Sequence, residues 1–317
     1  MKIISFNDIV QLQISPDTCY KWISEMLERK DESILPPKTH IALKDNVFCN
    51  IMPSVIFEQN NIFGGVKVVN RYPDRIPSLQ SNLLLLDMKT GEFLALMDAD
   101  WITAMRTGAV AAHSIHLFAK KDFSTVAFMG LGNTARATLL VLESLYQDKR
   151  FTIKLLRHKG QEVLFVDRFK DRDNLQFTFV DEYEDLIQGS DVIVSAVTYL
   201  ENDICPDALF EEGVLVVPIH TRGFTNCDLF FDKIYADDKA HVSHFKNFDK
   251  FRQFAEVSDV VNGKKPGRES QNERILAYNI GVSIHDIFFA SKIYQLLQEA
   301  DGGNYINLCK PENKFWI

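Results

Sequence analysis

Apolar residues recur at three- and four-residue spacing over Asp17–Arg29, where Trp22, Ile23, Met26 and Leu27 form one stripe, and this predicts a helix. Pro36 and Pro37 break the pattern, after which apolar runs predict strands at Thr39–Leu43, Val47–Met52 and Gly65–Val69. Leu83–Asp87 and Phe93–Met97 flank a short connection containing Gly91, the signature of a hairpin. From Asp98, read as an N-cap, an alanine-rich segment to about Lys120 predicts a long helix.

The period changes after Asp122. Phe123–Met129 reads as a buried strand, Gly130–Ala135 as a glycine turn, Arg136–Tyr146 as a helix and Phe151–Leu156 as a second strand, which together make a βαβ unit. Strands at Gln176–Val180, Val192–Ala196, Leu215–Ile219 and Lys233–Tyr235, with short helical links at Tyr183–Gln188 and Asp207–Glu212, continue the alternation. A doubly wound parallel sheet over about Asp122–Val260 is the economical reading. Ile284–Glu299 predicts a closing amphipathic helix that returns to the first domain.

A length of 317 residues, 46% hydrophobic and 25% charged, fits two globular domains. The net charge of −8, from 43 acidic and 35 basic residues, supplies no global positive field, so nucleic acid is not an expected partner. No apolar run is long enough to span a membrane, and Met1–Val10 lacks the order of a signal peptide, so a cytoplasmic location is expected. The five cysteines are scattered without a C-x-x-C pair and read as reduced thiols. The pairs His113/His116 and His241/His244 carry no H-E-x-x-H register, so no metal is expected. Serine-hydrolase and P-loop signatures do not occur.

The sharpest local signal is G-x-G-x-x-A between a strand and a helix. Gly130 permits the turn, Gly132 lets backbone approach a pyrophosphate, and Ala135 keeps helix and strand close, with Asn133 and Thr134 between; the plainer reading is a structural βα turn. At the end of the second strand, where NAD-binding chains present an acid, this one reads Arg157-His158-Lys159. A cation there suits a 2′-phosphate, which favours NADP over NAD; the alternative is that these are solvated strand-end residues. Arg106, in a helix of small residues, suits a carboxylate or phosphate, or is an exposed arginine on an ordinary packing helix. Lys67 is a lone cation in an apolar strand and must meet solvent or an anion. Lys38 follows the two prolines and reads by itself as a surface lysine.

Taken in order, Pro37-Lys38, Met52-Pro53, Gly65-Val66-Lys67, Leu96-Met97-Asp98, Ile102–Thr107, Gly130-x-Gly132, Ala236-Asp237-Asp238, Pro266–Glu269 and Gly281-x-x-x-x-Asp286 resemble the ornithine cyclodeaminase/mu-crystallin family over almost the whole chain. The resemblance implies an α/β protein in which a Rossmann doubly wound sheet, residues 122–284, is inserted in an α+β substrate-binding and dimerisation domain, residues 1–121 and 285–317. It implies a homodimer with the nicotinamide in an interdomain cleft, and carboxylate-binding cations at Lys38, Lys67 and Arg106. Cofactor contacts are implied at Thr107, the turn Gly130–Ala135, Arg157, His158, Ala196, Val197, Thr198 and Gly281.

Departures from the family's pattern bear on the reaction. Cyclodeaminases carry an Asp after the strand matching Leu215–Ile219, where this chain has His220-Thr221-Arg222-Gly223, with Asp228 the nearest acid. Asn50 replaces the Glu that holds the distal amine of ornithine, and Lys38 stands where many members have Arg. The chain is more similar to the branch of the siderophore-pathway N-(2-amino-2-carboxyethyl)-L-glutamate dehydrogenase. The expected activity is an NAD(P)-dependent oxidoreductase at the Cα–N bond of an amino acid, with a small amino or keto acid as partner and Lys67, His220 and Asp228 as acid–base candidates. The alternatives are a cyclodeaminase using catalytic NAD, and an NADPH-dependent binder of small carboxylates.

Overall fold

The computed structural model describes residues 1–197, 200, 202–219, 224, 229–298 and 304–307. By contact the chain divides into two units, Met1–Gln13, Glu32–Ile102 and Ser283–Ile317 in the first, and Ile14–Asp31 and Thr103–Val282 in the second.

The first unit contains β1 (Lys2–Ile4), α1 (Phe6–Gln11), β2 (Thr39–Ala42), β3 (Phe48–Phe57), β4 (Ile62–Arg71), β5 (Leu79–Asp87), β6 (Glu92–Asp98), α9 (Ser283–Gln298) and β15 (Asn304–Tyr305). Its sheet runs in the order β15-β1-β6-β5-β4-β3-β2, antiparallel except for β1 beside β6. Burial alternates along β3, β4 and β5 with period two, so one face is buried, and α9 packs on those three strands.

The strands are longer than the sequence pattern predicts, for a definite reason. The sequence pattern predicts a strand over Val47–Met52, and β3 continues through Pro53 to Phe57. Val55 N bonds Ile34 O on the β2 side, so the nitrogen of Pro53, two residues earlier, points the same way. Pairing with β2 ends at Ile51, so no ladder bond is lost there. The hairpin β5–β6 forms as expected, with Gly91 at φ +75° in its turn. Asp98 ends β6, and its carboxylate accepts from Asp100 N at 2.9 Å.

The second unit contains α2 (Pro16–Glu28), α3 (Asp100–Phe118, counted from Thr103), β7 (Thr125–Met129), α4 (Asn133–Leu145), β8 (Phe151–Leu156), α5 (Gln161–Asp167), β9 (Leu175–Val180), α6 (Tyr183–Ile187), β10 (Val192–Ser195), β11 (Leu215–Pro218), β12 (Lys233–Ala236), α7 (Lys239–Val242), β13 (Phe254–Glu256), α8 (Val257–Val261) and β14 (Ile275–Tyr278). The strand order is β13-β12-β14-β11-β10-β7-β8-β9, and every pair is parallel. β10, β11, β12 and β14 are buried at every position, as expected of a sheet covered on both faces. Ile275–Tyr278 inserts between β11 and β12, a strand the sequence pattern did not mark. This unit takes in more chain than 122–284, because α2 packs on α4 and α8. No described helix is long and apolar enough to cross a membrane.

Candidate functional site

In the second unit the order reverses at β7, whose neighbours are β8 on one side and β10 on the other, and such a switch point opens a crevice at the carboxyl ends of the strands. The glycine turn occupies that place. Gly130 has φ +79°, and a Cβ there would lie 2.6 Å from the carbonyl carbon and oxygen of Ala196 and 2.8 Å from Val197 N. Only glycine lets the loops after β7 and β10 close on each other. Gly132 caps α4 without a side-chain hydrogen bond, and a Cβ on it would meet nothing within 4 Å. Asn133, Thr134 and Ala135 form the first turn of α4, whose backbone N–H groups have no acceptor within the helix, the arrangement that receives a pyrophosphate. Behind them, Arg136 Nε is buried and has no hydrogen-bond partner among the described residues. A dinucleotide fits these residues.

At the end of β8, Arg157 Nη1 lies 2.7 Å from Asp181 Oδ2, and its guanidinium is 5.4 Å from the Phe179 ring centroid. Both charges are largely exposed, so the pair contributes only about 0–1 kcal/mol. His158 donates its backbone N–H to Glu162 Oε2 at 3.2 Å.

Elsewhere in this unit Arg106 is 5% exposed, which rules out the exposed arginine of the plainer sequence reading. Gly281, at φ +79°, lies under it: a Cβ there would be 2.6 Å from Arg106 Nη1. Asp237, buried at the end of β12, accepts from Gly281 N at 2.8 Å and Asn279 Nδ2 at 3.0 Å. Burial pushes its carboxyl up from the usual carboxylate range, against those hydrogen bonds and the charge of Arg106. Thr107 Oγ1 donates to Thr103 O at 2.6 Å, one turn back in α3.

A second cluster was not foreseen. Lys30 Nζ bonds Asp237 O at 2.8 Å, Glu256 Oε2 at 2.5 Å and Asp238 Oδ2 at 3.0 Å. Burial raises the Asp238 carboxyl, but the hydrogen bond from His241 and the Lys30 ammonium outweigh it and hold it well below its ordinary range. Three acceptors use all three donors of Lys30, which makes it a structural tie. A lone lysine after a predicted helix carries no sequence signal for such a role.

In the first unit Lys67 is fully buried on β4, on the α9 face, with Met52 and Leu83 as strand neighbours. Its Nζ lies 2.8 Å from Asp286 Oδ1 on α9. The partner that an apolar strand demanded for its lysine is thus an acid 219 positions away. Lys38 is half-buried just before β2. His40 Nδ1 donates to Asn50 Oδ1 at 2.6 Å, and Asn50 is buried on the same face as Lys67. Of the remaining candidates, Ala196 and Val197 follow β10 beside the glycine turn, whereas Thr198, His220 and Asp228 lie outside the described residues.

A parallel sheet with a glycine turn and a bare helix amino terminus at its switch point defines a dinucleotide-binding protein of the doubly wound class. Within that class, the chain belongs to the ornithine cyclodeaminase/mu-crystallin family, whose model matches residues 2–301. Among its relatives is the N-((2S)-2-amino-2-carboxyethyl)-L-glutamate dehydrogenase of Staphylococcus aureus, 26% identical over 86% of this chain and 84% of the relative. The fold is shared with the Delta(1)-pyrroline-2-carboxylate reductase of Thermococcus litoralis, solved with NADH and L-proline (TM-score 0.85, 24% identity, 96% of this chain and 100% of that one). It is shared too with an archaeal alanine dehydrogenase, solved as a dimer with NAD (TM-score 0.84, 23% identity, 98% and 99% covered).

Proposed function

We propose that this protein is an NAD(P)-dependent oxidoreductase acting at the Cα–N bond of an amino acid or an N-carboxyalkyl amino acid. The observation that carries the reading is the bare amino end of α4 behind the Gly130 turn, a cradle for a pyrophosphate. The named activities of the S. aureus and T. litoralis relatives, each on an amino or imino acid, support the substrate class. When bound, a nicotinamide dinucleotide accepts a hydride from Cα or returns it to an imine carbon. In the oxidative direction the amine nitrogen also loses a proton, and the product is the 2-imino acid.

In this reading Lys38, Lys67 and Arg106 bind the substrate's carboxylate, and proton handling falls to Lys67, His220 or Asp228. Thr107, Thr198 and Gly281 join the glycine turn, Ala196 and Val197 as cofactor contacts. Arg157 and His158 receive a 2′-phosphate, which favours NADP: the weak exposed pair with Asp181 is readily exchanged for a phosphate dianion. Asn50, uncharged and held by His40, offers nothing to neutralise a distal ammonium, which argues against ornithine.

The reading includes a cytoplasmic homodimer. The sheet face opposite α9 carries Pro53, Val66, Leu84 and Leu96 in register across four strands, with Ile51 two residues from Pro53 on the same face and Leu96 38% exposed. A second copy covering it would remove a continuous apolar patch from water.

The test is incubation of the purified protein with NADP or NAD and a panel of amino acids and N-carboxyalkyl amino acids, followed by the absorbance of reduced nicotinamide. Reduced cofactor and 2-oxo acid in equal amounts is the expected result. Proline and ammonia from ornithine without net reduction would assign a cyclodeaminase, and cofactor binding without turnover a carboxylate-binding protein.

A further inference from the structure

Burying a lysine and an aspartate together costs several kcal/mol of desolvation per ion, and apolar residues of similar size often hold a core as well or better. Lys67 and Asp286 are nevertheless both at 0% exposure. The contact between α9 and the sheet is built to bring them together. Ser283 Oγ donates to Pro53 O at 2.7 Å, which fixes the first residue of α9 on β3. Gly65 lets the helix down onto β4: a Cβ there would lie 2.6 Å from Ile287 Cδ1. With Ile287 seated on Gly65, the preceding residue, Asp286, meets Lys67 two positions further along the strand. Neighbouring positions of α9, Ile284, Ile287, Phe288 and Ile293, are apolar and buried.

We infer that Asp286 is a positioning residue for Lys67: its carboxylate fixes the ammonium in place and keeps it charged, so that Lys67 serves the substrate as a cationic hydrogen-bond donor and not as the base that takes the amine proton. The inference rests on the placement of Lys67 in the substrate site under the proposed function, and it narrows the proton-handling candidates there. In surroundings this dry, an opposite charge at 2.8 Å favours the charged form of each partner. The other titratable or charged groups on the elements packed about this face are His285, Lys292 and Tyr294 on α9, Cys49 on β3 and Glu58 after it, Arg71 at the end of β4, His40 on β2 and Asp87 at the end of β5. Glu58 is taken by Lys292 at 3.2 Å, and Asp87 caps its own turn by accepting from Lys89 N at 2.7 Å. Asp286, on α9, gives Lys67 a direct carboxylate contact.

The experiment compares the full-length wild type with Asp286→Asn and Asp286→Glu. Protein labelled with 13C at lysine Cε, with the Lys67 signal assigned through Lys67→Arg, reports the charge of Lys67 against pH without any turnover. The expected result is a Lys67 signal that stays ammonium across the folded range in wild type and Asp286→Glu, and that titrates at lower pH in Asp286→Asn. With the amino acid substrate found in the panel, Asp286→Asn is expected to lose about tenfold or more in kcat/KM, the scale of a hydrogen bond to a charged group, and to gain a new limb in its pH profile. Asp286→Glu keeps the wild-type profile with a lower kcat, because its longer arm moves the ammonium. Cofactor affinity is unchanged in both. An Asp286→Asn protein with the wild-type Lys67 titration and pH profile, changed only in melting temperature, would overturn the inference. If Asp286→Asn does not fold, a Lys67 that titrates near neutrality in Asp286→Glu would overturn it. Absence of turnover in wild type would count against the proposed function alone, since the lysine signal still decides the pair.

Discussion

The two units carry their chemistry in opposite ways. In the second, the candidate cofactor site is made by side chains that are absent: Gly130 forms the turn, and Gly132 caps α4 with no side-chain hydrogen bond to its first N–H groups. In the first, the candidate substrate group is a charged side chain placed where an apolar strand and helix would otherwise be uniform, and an acid from the far end of the chain holds it. A site made of backbone is local, whereas a site made of a buried charge is as long-range as the partner that neutralises it.

The sharpest break between the two comes from Lys67→Met. It removes the cation from a buried ion pair, and breaking such a pair by removing one partner costs about 3–5 kcal/mol. We expect kcat/KM to fall by about a thousandfold or more, roughly 4 kcal/mol, with cofactor affinity retained. The double variant Lys67→Met/Asp286→Leu is expected to recover the melting temperature without recovering activity, as calorimetry beside kinetics would show.

Acid separates the units next. His113 in the second unit stacks on Tyr20 at 5.4 Å between centroids, and burial pushes its pKa down to about 4 from the ordinary 6.5. The folded state therefore keeps it neutral while the unfolded chain takes up a proton below pH 6.5. Stability from this group is complete above pH 6.5 and is lost as pH falls toward 4, by up to about 3 kcal/mol. Urea midpoints across that range should show the loss in wild type and a flatter curve in His113→Gln.

Gly130→Ala tests the backbone site. Its φ of +79° and the 2.6 Å approach to Ala196 leave no room for a methyl group. Cofactor affinity should fall by about a hundredfold, near 2.7 kcal/mol, read by nicotinamide fluorescence. The smallest effect is expected at Arg157→Asp, which should weaken NADP by about tenfold relative to NAD, the worth of one charge-assisted contact. Equal weakening of both would remove Arg157 from the 2′-phosphate site.

The same contrast explains what could be read from the sequence. The βαβ unit and its turn lie within a few dozen residues, where strand, glycines and helix are contiguous, so spacing alone located them. The alternation of β4 exposed Lys67 as an anomaly but named no partner, because Asp286 follows 219 positions later inside a helix that reads as ordinary packing. Arg106 read as exposed when taken alone, since nothing local announces that Gly281 packs against its guanidinium or that the charge of Asp237 acts on it. The second half of β3, beyond the predicted Val47–Met52, runs through Pro53, which a central strand tolerates because its nitrogen faces a side where pairing has ended. Lys30 is the extreme case, with partners in β12–β13 that only the folded chain brings to α2.

The central claim is hydride transfer from an amino acid's Cα, and isotopic transfer tests it most directly. With a substrate deuterated at Cα and NADP, mass spectrometry of the recovered cofactor should find deuterium at nicotinamide C4 in an amount equal to the 2-oxo acid formed. Product formed without deuterium in the cofactor, or a labelled substrate recovered intact with the cofactor bound, would contradict the account.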